Sequence, residues 1–184
     1  FNSSRTATCY SFLFVGSVRV VSETDSIASP IPLFFNPDVI LSKANAVDSM
    51  DYLYRNGHHD ECLFVHGGKG TLKTNFGSLN LAYGDYAIIP RGVIWQLDVI
   101  EPLELFITET AGPIETPNRY RNKLGQLLEH SPYSERDIKT PVLGDPQPDG
   151  PIEVKVRLAQ GLQSYEYKHH PFDVVGWDGY YFPW

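Results

Sequence analysis

Two stretches decide how this chain folds: Glu61-Cys62-Leu63-Phe64-Val65-His66-Gly67-Gly68-Lys69-Gly70 and Gly84-Asp85-Tyr86-Ala87-Ile88-Ile89-Pro90-Arg91-Gly92. Each is a short apolar run punctuated by glycine. A strand has to reverse at Gly67-Gly68 and again after Ile89, where Pro90 fixes φ and Gly92 relieves the steric restriction of the next turn.

Outward from these stretches the same grammar continues. Strands are expected over 61–66, 69–75, 79–81, 86–89 and 94–100, with turns at Gly67-Gly68 and Gly84-Asp85, a meander or barrel signature. The clearest alternation is Ile152, Val154, Val156 and Leu158 with Glu153, Lys155 and Arg157 between them, and Leu103, Leu105 and Ile107 repeat it. A period of two places one face on a core and the other in water. Leu124, Leu127 and Leu128 have helical spacing within 118–130, where Gly125 argues against a helix, so both readings stand open. Pro141, Pro146, Pro148 and Pro151, with Gly144 and Gly150, make 141–151 a loop, because its backbone lacks the donors of a central strand. The fold class expected is all-β with little helix.

Composition bounds the function. A length of 184 residues suits one domain with a substantial core, with room for an added arm. With 15 Lys and Arg against 22 Asp and Glu, and no basic run, nucleic acid and anionic membrane surfaces are not expected partners. Cys9 and Cys62 are too few for a disulfide scaffold and lack paired-cysteine metal spacing, which fits a reducing cytoplasm. The apolar run 9–15 is too short to span a bilayer. The chain starts at Phe1 and stops on Tyr180-Tyr181-Phe182-Pro183-Trp184, and both ends are read as cut from something longer.

The two opening stretches resemble the first and second motifs of the cupin family, which implies a jelly-roll (double-stranded β-helix) barrel. Cupin enzymes hold a metal with two histidines just before the motif-one glutamate, that glutamate, and a histidine soon after the motif-two glycine. Glu61 stands at the glutamate position, whereas Asn56 and Gly57 lie where the second histidine is expected and Trp95 lies at the motif-two position. His58, His59 and His66 are close by. Strand alternation would put His59 on the same face as Glu61 and leave His58 and His66 on the other. His59 and Glu61 are therefore the residual metal candidates, and two same-face ligands make a poor site. No metal is expected here, and Trp95 reads as packing that fills volume a metal and substrate would need.

Longer matches narrow the resemblance. They are Tyr54-Arg55-Asn56-Gly57, Asp60-Glu61-Cys62-Leu63-Phe64-Val65-His66, Ile89-Pro90-Arg91-Gly92, Gly125-Gln126-Leu127-Leu128-Glu129-His130-Ser131-Pro132-Tyr133-Ser134-Glu135-Arg136-Asp137-Ile138 and His169-His170-Pro171-Phe172-Asp173-Val174-Val175-Gly176-Trp177-Asp178-Gly179-Tyr180. Together, over roughly 34–184, they are similar to the N-terminal half of the bacterial homogentisate 1,2-dioxygenase family of bicupins. That resemblance implies a divergent arm over 1–33, a cupin domain over 34–168, and a linker over 169–184 toward a second cupin half. It also implies that the second half holds Fe(II) and cleaves the ring of homogentisate, a small aromatic acid of tyrosine and phenylalanine catabolism, while the first half packs against it without iron. Asp178 departs from the histidine of eukaryotic members and agrees with the bacterial type.

Other conspicuous residues have plain structural readings. His169 and His170 are adjacent in an extended segment, point opposite ways and precede Pro171, so a structural or interdomain role is expected. Arg91, in a turn, is expected to be solvated rather than to grip a substrate carboxylate, and Glu135-Arg136-Asp137 to form a surface or interface ion network. Catalytic residues would lie outside this segment. Three functional readings are thus in play: the supporting half of an iron-dependent dioxygenase, a free-standing metal-free cupin that binds a small molecule or protein partner, and an active single cupin using His59, Glu61 and a third ligand. Homo-oligomerisation through sheet edges and exposed aromatics is expected.

Overall fold

The computed structural model describes residue 27 and residues 30–132, 137–145, 147 and 150–173. Among the described residues nine strands form one strongly curled sheet: β1 (Ile31–Phe35), β2 (Val39–Ala46), β3 (Leu53–Asn56), β4 (Asp60–Thr74), β5 (Gly77–Ala82), β6 (Tyr86–Ile89), β7 (Ile94–Thr110), β8 (Ile152–Leu158) and β9 (Gly161–Tyr167). The pairings among these strands are antiparallel except that of β3 with β8.

The frame is the pair β4–β7, registered from Asp60 opposite Thr110 to Thr74 opposite Trp95. β7 is flanked on its other edge by β2 and β3, and β4 by β5 and β6. Two expected strand pairs are each one long strand. Gly67-Gly68 does not reverse the chain. It carries a series of β-bulges between Val65 and Gly70, which bend the strand without ending it. Gly68 has φ +82°, and an added Cβ would lie 1.9 Å from the Pro102 carbonyl oxygen, so only glycine lets β4 and β7 approach there.

The bulges also change which residues face inward. Before them the odd-numbered Glu61, Leu63 and Val65 are buried, and after them the even-numbered Gly70, Leu72 and Thr74. Of these, Leu63, Val65 and Leu72 build the main core with Trp95, Leu97, Leu103, Leu105 and Ile107 of β7, and Ile27 joins it. A second small core lies on the other face of β3 and β8, where Leu53, Val154 and Val156 pack with Ile94 and Phe172. The alternation read over 152–158 is thus borne out, and so is the turn after Ile89.

The 118–130 segment resolves against a helix. A single 3-10 turn, Asn118–Tyr120, is followed by a tight turn in which Asn122 caps Leu124 and Gln126 through its side chain and Gly125 takes φ +87°. The described part of 141–151 is loop apart from one bridge between Ser78 and Val142. The 33/34 boundary falls inside β1, which pairs with β2, so the described part of the arm joins the sheet. Residues 1–26, 28–29 and 174–184, which hold most of the arm and the end of the expected linker, lie outside the described residues.

Candidate functional site

Glu61 is the first inward side chain of β4 and is nearly inaccessible. Alternation on β3 turns Tyr54 and Asn56 toward the same interior. On β7 it turns Trp95 and, three inward steps beyond Leu103, Glu109. The parallel register of β3 and β8 sets Arg157 beside Asn56. The result is a buried polar cluster fed by four strands. Glu61 Oε1 accepts from Tyr54 Oη at 3.3 Å and from Asn56 Nδ2 at 3.0 Å, and its Oε2 accepts from Trp95 Nε1 at 3.2 Å. Asn56 Nδ2 also donates to Glu109 Oε1 at 2.8 Å, and Arg157 Nη1 donates to the same oxygen at 2.9 Å.

Burial drives the electrostatics of this cluster. Loss of solvent pushes the Glu61 carboxyl up to about 7, with Glu109 adding to the rise while the Asn56 and Trp95 hydrogen bonds hold it down. The Tyr54 hydroxyl is driven far above its ordinary range, first by burial and then by the neighbouring Glu61 carboxylate.

The donor set decides whether a cation suits this place. A metal needs lone pairs, and the spot in front of Glu61 is met by the N–H groups of Asn56 and Trp95 and the hydroxyl of Tyr54. Among the described residues no group of three or more His, Cys, Asp and Glu is arranged to hold a metal ion. The cluster does not fit a metal.

The other singled-out residues fall elsewhere. His59 precedes β4, so strand alternation does not reach it. It is half-buried, its ring meets that of His58 edge-on at 4.5 Å, and burial and then His58 hold its pKa down. His66 is exposed, with its ring 6.3 Å from that of Phe64. Arg91 is partly solvated as expected, but its backbone N and Nε both bind the buried Asp60 at 3.0 Å and its Nη2 reaches the Ala111 carbonyl at 2.8 Å. His170 packs on Phe172 and accepts from its backbone N–H at Nδ1, a structural use. Of Glu135, Arg136 and Asp137, only Asp137 is among the described residues.

Sequence reasoning missed Glu109, Arg157 and Tyr54 as members of the cluster. The signal for Glu109 was present, since it continues the inward phase of Leu103, Leu105 and Ile107 by one more step of two. Arg157 could not be found that way, because its partner depends on the parallel pairing of β3 with β8 across about a hundred residues of chain.

A curled, nearly all-β sheet whose bent long strands wrap the main core, with a glutamate at the head of the first of them, defines a cupin-type domain. Solved structures that resemble it include the Schizosaccharomyces pombe Cnp3 cupin domain, 17% identical with TM-score 0.42 over 45% of this chain and 64% of that one. A cupin-2 domain protein from Shewanella frigidimarina is 20% identical with TM-score 0.41 over 45% of this chain and 79% of that one.

Sequence comparison goes further. The model of the homogentisate 1,2-dioxygenase N-terminal family matches residues 38–184. A candidate dioxygenase of Saccharolobus solfataricus is 42% identical over 167 residues, covering 90% of this chain and 43% of that protein. The homogentisate 1,2-dioxygenase of Rhodopseudomonas palustris strain BisB18 is 33% identical over 127 residues, covering 67% of this chain and 27% of that enzyme. This chain belongs to the homogentisate 1,2-dioxygenase N-terminal family, and it spans less than half the length of these curated relatives.

Proposed function

We propose that this chain is the metal-free, supporting N-terminal half of a ring-cleaving dioxygenase that acts on homogentisate or a related hydroquinone carboxylate. The observation that carries the reading is the family match over 38–184 joined to a cupin site whose glutamate accepts hydrogen bonds from three N–H and O–H donors. The groups that face this carboxylate are donors, which suit an anion and not a cation. In this reading Fe(II) belongs to the second cupin half of the longer polypeptide, where open iron positions would take substrate and oxygen.

The surface supports a packed partner. All five residues of β1 are exposed, Phe34 and Phe35 at 72% each, and these two line a shallow cleft of about 170 Å³ with Asn36, Val39 and Leu41. An apolar edge strand of this kind calls for cover. The remaining length seen in the curated relatives supplies the candidate, the second half of the same chain. Among the described residues no helix is long and apolar enough to cross a membrane.

The test is oxygen uptake by the purified full-length polypeptide, loaded with Fe(II), on homogentisate and on other hydroquinone carboxylates. Stoichiometric oxygen consumption with loss of the aromatic absorbance is expected for one of them. No turnover on any of them, with homogeneous folded protein, would favour a free-standing non-catalytic binding cupin instead.

A further inference from the structure

A carboxamide offers two N–H donors and two acceptor positions, and Asn56 uses all four. Its Nδ2 donates to Glu61 Oε1 at 3.0 Å and to Glu109 Oε1 at 2.8 Å, while its Oδ1 accepts from the backbone N–H groups of His58 at 3.0 Å and His59 at 2.9 Å. The partners themselves fix the orientation of the amide, because carboxylates need the NH2 and backbone N–H groups need the carbonyl. Asn56 is 2% exposed, so none of these bonds is shared with bulk water.

Glu61 and Glu109 stand directly opposite each other in the β4–β7 register, and both are buried. Like charges facing across a strand pair repel, and burial sharpens the repulsion. Arg157 bonds Glu109. A proton on Glu61, a cation between the two, or a neutral group with two N–H donors can each relieve this repulsion, and the group that stands between the two carboxyls is the Asn56 amide.

We propose that the Asn56 carboxamide is the neutral substitute for a cation in this barrel, bridging Glu61 and Glu109 and thereby excluding a divalent metal. The amide also ties the bridge to the β3–β4 turn through His58 and His59, so one side chain joins β3, β4 and β7. This inference stands on the geometry of the cluster and is independent of which reaction the longer protein performs.

Asn56→Asp tests it, since aspartate keeps the shape and replaces the bridging NH2 by an oxygen. Thermal unfolding of the chain is followed with Mn2+ and with EDTA. The parent chain should unfold at the same midpoint in both. Asn56→Asp should unfold several degrees lower in EDTA and recover most of that loss with Mn2+, because three carboxylates then face one another. Stabilisation of the parent by Mn2+, or a variant indifferent to both additions, would overturn the proposal. A second measurement covers a variant that does not fold: the side-chain amide signals of Asn56 in the parent, by 1H–15N NMR. Protection from exchange and no paramagnetic broadening by Mn2+ are expected. Exchange at the rate of a free amide, or broadening by Mn2+, would overturn it.

Discussion

Tyr54 and Trp95 pair across β3 and β7 with their rings edge to face, centroids 5.1 Å apart, and each aims its polar atom at a different oxygen of Glu61. The two aromatics therefore do two jobs at once. Their rings fill the barrel interior, and their O–H and N–H groups solvate a carboxylate that water cannot reach.

Trp95→Phe keeps most of the packing and removes the Nε1 donor. Loss of a hydrogen bond to a buried ionisable group costs on the order of 2 kcal/mol. Urea unfolding should show that decrease with the slope m unchanged, and a stability equal to the parent would mean that the indole N–H contributes nothing.

Glu61 makes stability depend on pH in an unusual direction. Burial raises the folded-state carboxyl from 4.5 to about 7, so between these values the folded chain binds more protons than the unfolded one. The contribution of this group is complete below its unfolded pKa and is lost as pH rises through about 7, on the order of 3 kcal/mol. Glu61→Gln should flatten this segment of the stability–pH curve, as read by urea midpoints from mildly acidic to mildly alkaline pH.

Asp60 works in the opposite sense. Burial alone would raise its carboxyl, but the N–H groups of Ile114 and Arg91 and the Arg91 guanidinium together hold it below the ordinary value of 3.8. Its contribution is present above that value and fades as pH falls through the lower folded-state pKa. Asp60→Asn should cost about 2 kcal/mol at neutral pH and reduce acid sensitivity below pH 4. Urea titrations at neutral and acidic pH measure both effects.

Gly68 and Gly92 share a positive φ and differ in their surroundings. At Gly68 a Cβ would collide with the Pro102 backbone, whereas at Gly92 nothing lies within 4 Å. Gly92→Ala should cost about 1 kcal/mol, the conformational term alone, and Gly68→Ala clearly more, because β4 and β7 have to separate. Equal losses in thermal melts would contradict the close approach.

Much of the architecture was legible because inward positions repeat with a period of two: Leu103, Leu105 and Ile107, or Val154 and Val156, name their own face. The bulges at Gly67-Gly68 were not legible as such, since glycine pairs signal a turn and a bulge equally well and only the partner strand decides between them. Within the site, Glu61, Asn56 and Trp95 were found by their spacing in the motifs. What they do to one another was not, because a side-chain amide gains its bridging role only when two distant strands bring Glu61 and Glu109 into register. His59 lies one residue before β4, so the alternation that turns Glu61 inward does not fix where its ring goes.

The proposed role assigns any catalytic metal to the remainder of the longer polypeptide. Iron content per folded full-length polypeptide, compared between the parent and Glu61→Gln, tests it most directly. Under the proposed role the iron stoichiometry and the ring-cleaving kcat should be the same in both, since Glu61 is buried among Tyr54, Asn56 and Trp95. Loss of iron in the Glu61→Gln protein would contradict it.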